Sequence, residues 1–177
     1  RAAATHRPTS ATPLVFTSKF QSIKRPEIFA RAASRMLVEN RSYEGSVHFL
    51  AFDVDAAARR ASETAFPPAL RERVRFGGPS ERRHREEIIR DSVAVFPGAF
   101  ETYCFAAYEA GMAGAVGVLN ARNPAFGDGT PWIDGVNCLK FDGTSPRLFA
   151  VLDRIFSDPA ATAALEPVRA DATAEPY

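Results

Sequence analysis

The sequence predicts an α/β fold: a doubly wound, Rossmann-like, mostly parallel sheet of about six strands with helices on both faces. Two observations carry this. Short apolar runs alternate with helix-patterned segments along the whole chain, the order that builds parallel sheets and their crossover helices. A hydrophobic fraction of 46% with 14 Phe in 177 residues supplies enough apolar surface for one well-packed core.

The elements follow in order. The opening "RAAATHRPTSATP", residues 1–13, is polar and proline-punctuated and reads as a linker or tail. "LVFTS", 14–18, is a buried strand. Pro26 sits where the first turn of a helix tolerates its missing N–H, and "EIFARAASRML" keeps Ile28, Ala32 and Leu37 near one face. "SVHFLAFD", 46–53, is the second strand, and "DAAARRASETAF" a helix interrupted by Pro67-Pro68. "RVRF", 73–76, is a brief strand closed by Gly77-Gly78-Pro79. The charged "SERRHREEIIRDS" is a solvated helix starting near Ser80 with Ile88 and Ile89 inward. Strand "SVAVF" (92–96), an alanine-rich helix, strand "AVGVL" (115–119) and a loop from Asn120 to about Val136 come next. "CLKF", 138–141, is the last strand. "SPRLFAVLDRIFSD" is a helix on Leu148, Leu152, Ile155 and Phe156, and Asp158-Pro159 opens a short final one. The domain is expected over 14–168, with a loose tail at 169–177.

Totals exclude some classes of function. Basic and acidic residues number 22 and 21, so whole-chain charge gives no reason to expect nucleic acid or an anionic membrane as partner. Cys104 and Cys138 lack metal-ligand spacing and are expected as free thiols in a reducing compartment, the cytoplasm. No His pairs with Cys or acid at metal spacing, so no metal is expected. No serine-nucleophile elbow occurs. Asp53 and Asp55 after the second strand invite a phospho-accepting receiver reading. Ser18 and Lys19 stand where its magnesium-holding acids belong, which argues against it.

In a doubly wound sheet ligands bind beyond the carboxyl ends of the strands. Two stretches there stand out. "SKFQSIKRP" carries Lys19 and Lys24, two ammonium groups near a helix start, where the backbone N–H groups add positive potential suited to a diphosphate. A solvated basic loop fits the same spacing, because the glycine-rich phosphate signatures are missing. "FPGAFETYCFAAYEAGMAGAVGV" holds Glu101 at the mouth of a helix and Glu109 inside it. Helical side chains lean toward the N-terminus, so both carboxylates can reach one mouth and accept several sugar hydroxyls. They also fit the acid and base of a glycoside hydrolase, or simply acids placed to favour a helix start.

Together these residues resemble the C-terminal domain of retaining glycosyltransferases of the GT-B type, the family-4 or "glycosyl transferases group 1" kind. The match runs in order over roughly residues 14–168. "SVAVFPGAFETYCFAAYEAGMAGAVGVLNA" is similar to the family's strand, Pro-Ser, E-x7-E, Ala-x-Gly helix and following strand. "DGVNCLKFD" resembles its Asp-Gly-x-x-Gly strand entry, and "FTSKFQSIKRPEIFARA" its Gly-Arg-Leu-x-x-x-Lys-Gly segment, with Lys19 for the Arg and Lys24 for the Lys. "RVRFGG" looks like the strand and glycine entering the base loop.

The resemblance implies one half of a GT-B fold and a nucleotide diphosphate sugar as donor, with no cofactor and no metal. Lys19 and Lys24 would clamp the diphosphate, Glu101 would contact the transferred sugar, and Glu109 would hold the ribose hydroxyls. Backbone N–H groups of Thr102, Tyr103, Cys104 and Phe105 would face the sugar or phosphates, and Gly77 and Gly78 would border the base. The implied partner is the N-terminal GT-B domain, which carries the acceptor site and through which the enzyme would associate with the cytoplasmic face of a membrane. This half by itself is expected to bind donor weakly and not to transfer it. "ETYCF" departs from the family's Glu-Gly-Phe-Gly, "SK" from its Gly-Arg, and Cys138 from a position where it prefers Gly. A degenerate domain kept as a scaffold or partner-binding module is the alternative.

Overall fold

The computed structural model describes residues 7–77 and 82–166. Gly78, Pro79 and Ser80 and the tail from 169 lie outside them. Six strands form one parallel sheet: β1 (Leu14–Phe16), β3 (Val47–Leu50), β5 (Val74–Gly77), β6 (Val93–Phe96), β7 (Val116–Asn120) and β8 (Leu139–Phe141). Their spatial order is β5-β3-β1-β6-β7-β8. The chain therefore winds outward in one direction from β1, returns, and winds outward in the other from β6. The crevice between β1 and β6 is the switch point at which such sheets bind ligands.

Strand residues alternate between two cores because successive side chains leave opposite faces of the sheet. Leu14, Phe16, Val47, Phe49, Val93, Val95, Val116 and Val118 enter one. Val15, Leu50, Ala94, Phe96 and Leu119 enter the other. The first core is closed by α1 (Pro26–Glu39), α2 (Ala56–Thr64) and α5 (Ser145–Ser157), the second by α3 (Arg82–Arg90) and α4 (Phe105–Ala113).

Local chemistry sets the helix ends. Pro26 opens α1 and Pro146 lies in the first turn of α5. The Asp55 carboxylate accepts from the backbone N–H groups of Ala57 and Ala58 and so caps α2. Gly114 ends α4 at φ 98°, donating to the carbonyls of Ala110 and Gly111, a left-handed turn that glycine adopts without steric cost. Asn40, just past α1, donates to Asp153 Oδ1 at 2.8 Å and Ser157 Oγ at 3.2 Å, tying α1 to α5.

Two segments differ from the expected strands. The run 46–53 breaks at Ala51. Its end, β4 (Phe52–Asp53), leaves the main sheet and pairs in parallel with β2 (Lys19–Phe20) as a separate ribbon. Burial of Phe20 against the Phe49 ring at 5.6 Å explains the fold-over, since it completes the aromatic cluster above β3. The expected linker is also partly built in: Thr12 is buried, Thr9 N–H donates to its hydroxyl at 2.8 Å, and Glu44 N–H donates to the Ser10 carbonyl at 2.8 Å.

Candidate functional site at the switch point

The loops after β1 and β6 meet over the crevice. Ala99 N–H donates to the Ile23 carbonyl at 2.8 Å, joining them backbone to backbone. Beneath this link lies a shallow cleft of about 220 Å³, open solvent included, lined among others by Ser18, Lys24, Gly98, Glu101, Cys104 and Asn123. The Lys24 ammonium and the Glu101 carboxylate form an ion pair there, each side chain only 18% exposed. That limited exposure screens the pair less than a surface salt bridge.

Both flanking helices begin in an unusual way. Arg25, the residue before α1, has φ 51°, and Cys104, the residue before α4, has φ 43°. Left-handed backbone at a non-glycine residue costs roughly 1–2 kcal/mol, and such strain collects at functional loops. Neither helix receives a side-chain cap, whereas α2, away from the crevice, does. Pro26 brings no N–H to α1, Ile28 N–H donates to the Arg25 carbonyl and Ala107 N–H to the Cys104 carbonyl, and no side chain accepts from either first turn, so their other N–H groups are open to an anion beside the cleft. Burial, and then the neighbouring Glu101 charge, push the Cys104 thiol up to about 12, which favours the protonated thiol over the thiolate.

Two asparagines hold the second loop in place. Asn120, buried at the end of β7, donates to the carbonyls of Pro97 and Gly98 at 3.2 and 3.0 Å. Asn123, also buried, donates to Gly98 O at 3.0 Å and accepts from the N–H groups of Glu101 and Ala125 at 3.1 Å each. Gly143, at φ 79°, packs against Asn120 so closely that an added Cβ would lie 2.7 Å from its Oδ1. Sequence reasoning placed both asparagines in an unassigned loop. The Asn123-Pro124 dipeptide was the available signal, since it marks a turn, and Asn123 does cap the short 3₁₀ turn Pro124–Phe126.

Of the residues singled out from sequence, the fold brings Lys24, Glu101 and Cys104 together. Lys19 is exposed on β2, with no ion pair among the described residues. Glu109 is exposed in the second turn of α4, likewise without one. Thr102, Tyr103 and Phe105 are exposed at the rim, where the Tyr103 and Phe105 rings stack 6.1 Å apart. Gly77 ends β5 at the edge of the sheet, two strand spacings or roughly 10 Å from β1. Asp53 and Asp55 have structural partners, Arg59 at 2.8 Å and the α2 N-terminus. No cluster of three metal-capable His, Cys, Asp or Glu side chains occurs among the described residues, and none of their helices is long and apolar enough to cross a membrane.

The sheet order and the site at its switch point define the class: an α/β domain with the fold of the C-terminal half of GT-B glycosyltransferases. The chain superposes on the C-terminal domain of a glycosyl transferase group 1 family protein (LpcC) from Francisella tularensis with a TM-score of 0.69 at 12% identity, covering 86% of this chain and 79% of that one. It matches sucrose-phosphate synthase from Thermosynechococcus elongatus with a TM-score of 0.72 at 19% identity over 87% of this chain and 38% of that one. It also matches an α,α-trehalose-phosphate synthase (UDP-forming) from Burkholderia xenovorans, solved with glucose-6-phosphate, at 0.68 and 18% over 86% and 37%. The chain thus spans under two-fifths of each synthase. No protein-family model matches the sequence, and no curated protein matches it.

Proposed function

We propose that this chain is the donor-binding half of a retaining glycosyltransferase that uses a nucleotide diphosphate sugar in the cytoplasm. The observation that carries the reading is the Lys24–Glu101 pair, set in the switch-point cleft between the uncapped starts of α1 and α4. A leaving diphosphate gains negative charge as the glycosidic bond breaks. A cation and helix amides fixed in advance stabilise that charge without reorganising. At ~4 Å and an effective dielectric near 20, one cation is worth on the order of 4 kcal/mol to a unit negative charge.

In this reading Lys24 leaves Glu101 for the diphosphate and Glu101 turns to the transferred sugar. Lys19, exposed on the same loop, supplies a second cation. Glu109 accepts from the ribose hydroxyls, and the rim N–H groups of 102–105 face sugar or phosphate. The base lies toward Gly77 and Gly78, the latter outside the described residues. The enclosed part of the cleft has room for little more than one water molecule, far short of the roughly 300–1,000 Å³ that encloses a drug-sized ligand. An elongated donor therefore lies partly outside it, and a second domain, which also carries the acceptor, completes the enclosure. No step calls for a metal ion.

A panel of nucleoside diphosphates and nucleotide sugars tests the reading by thermal shift. Saturation to about 100 times the dissociation constant adds about 2.7 kcal/mol. Lys24→Gln should weaken every diphosphate ligand by about tenfold or more. Glu101→Gln should weaken the sugar-bearing ligands more than the bare diphosphates. The 177-residue chain alone should release and transfer no sugar; turnover by it would overturn the half-enzyme assignment. A scaffold role is favoured by one observation, the larger Thr102 and Cys104 side chains where the resembled family has glycines. No stabilisation by any nucleotide would select that role.

A further inference from the structure

One cation near the crevice has no acidic counterpart among the described residues. Arg85, on α3, is half-buried, and its Nη2 donates to the Thr17 hydroxyl at 2.6 Å. Thr17 is fully buried and directly follows β1. Its neighbour Ser18 lines the cleft. Side chains of β1 alternate, so Thr17 leaves the sheet on the same side as Val15, toward the core that α3 and α4 close. Arg85 thus reaches the carboxyl end of β1 from the α3 side, while Lys24 arrives through the loop that enters α1 on the other side.

The charges at the mouth then do not balance. Lys24 and Glu101 cancel in the free chain. The Arg85 guanidinium has five N–H donors, of which the structure satisfies one with a neutral hydroxyl, and no carboxylate pairs with it among the described residues. A planar guanidinium fork matches two phosphate oxygens better than an ammonium does.

We propose that Arg85 is a phosphate-binding residue of this site, gripping the donor diphosphate from the α3 side opposite Lys24, with Thr17 fixing its orientation. The proposal rests on the donor-binding reading for the identity of the ligand, but not for the anion chemistry. It makes the site a two-sided clamp in which Arg85 supplies the attraction that the neutralised Lys24 lacks until its partner is displaced.

The test titrates the 177-residue chain with a nucleoside, its diphosphate and inorganic pyrophosphate by calorimetry. Arg85→Gln should weaken both diphosphate ligands by about tenfold or more and leave the nucleoside unchanged. The nucleoside thereby reports that the site is still folded. Arg85→Lys should lose less, and Thr17→Val, which keeps the guanidinium but frees it, should fall between wild type and Arg85→Gln. If wild type binds the nucleoside diphosphate and Arg85→Gln binds it equally well, the Arg85 role is overturned while donor binding stands. If wild type binds pyrophosphate in an Arg85-dependent way but binds no nucleotide, the Arg85 role stands and the donor reading falls. Failure of wild type to bind any of the ligands overturns both.

Discussion

The two helical layers are built from different materials. On the α1, α2 and α5 side, the Phe49 ring meets those of Phe16, Phe20, Phe29, Phe66 and Phe76 at centroid distances from 4.5 to 6.1 Å, in stacked, tilted and edge-on geometries. On the α3 and α4 side, alanine is prominent: Ala107 and Ala110 of α4 share one buried cluster with Ala94 and Ala115. Besides Phe96 on β6, the aromatic residues there, Tyr108, Phe126 and Trp132, gather along α4 and the loop after β7. The Trp132 indole N–H is buried without a hydrogen-bond partner among the described residues. Large interlocked rings hold one face of the sheet rigid. Small side chains line the face that α4 turns to the sheet, and the loop leading into α4 is held by the buried asparagines at the crevice. Stability concentrates on one face, and the site lies at the carboxyl ends of β1 and β6, where loops from both helical layers meet.

Phe49→Ala should strike the stable face hardest. Truncating a fully buried Phe costs about 3–5 kcal/mol, read as a fall in urea midpoint with donor affinity unchanged where the variant remains folded. Should the loss stay near that of a surface residue, the aromatic cluster is not the anchor of the fold. Asn123→Ala breaks the opposite face. It strips the Glu101 and Ala125 N–H groups of their side-chain partner and leaves the Gly98 carbonyl with Asn120 alone, at about 1–3 kcal/mol. Unlike Phe49→Ala, it should also weaken nucleotide binding in the folded protein, because the loop that carries Glu101 is released.

Cys104 sharpens the contrast on a smaller scale. Glycine and alanine both remove its sulfur, but only glycine relieves φ 43°. Cys104→Gly should therefore unfold at higher urea than Cys104→Ala, by about 1 kcal/mol. The reverse order would mean that the loop is not strained. In wild type, the thiol raised to about 12 should alkylate far more slowly in native protein than in urea.

The smallest effect belongs to His48 on β3. Burial first, then the positive Arg75 and His84, lower its pKa below the ordinary 6.5. The unfolded chain then takes up the proton before the folded one does. Stability is fully present above about pH 6.5 and is lost as pH falls through the window beneath it. His48→Gln should flatten the decline in urea midpoint between about pH 7.5 and pH 5.5. An unchanged slope would place the acid sensitivity elsewhere.

Periodicity and punctuation in the sequence made most of the architecture legible. All six main-sheet strands and the five α-helices among the described residues lie where the apolar runs and Pro26 put them, because backbone hydrogen bonding and hydrophobic patterning are written locally. The alternation of strand and helix was enough to imply the parallel sheet. The glutamate and lysine spacings pointed to the two loops that meet over the crevice between β1 and β6. What the sequence could not reveal is which charges meet. Lys24 and Glu101 are 77 positions apart, and Arg85 looked like one more solvated residue of a charged helix until the sheet order carried α3 to the end of β1. The break at Ala51 was equally hidden, since Phe52 and Asp53 continue the strand pattern and only the docking of Phe20 over Phe49 draws them away. Local pattern thus determines elements and their order. Ion pairs, strained turns and buried asparagine contacts depend on distances that close only when the two halves of the sheet meet at β1 and β6.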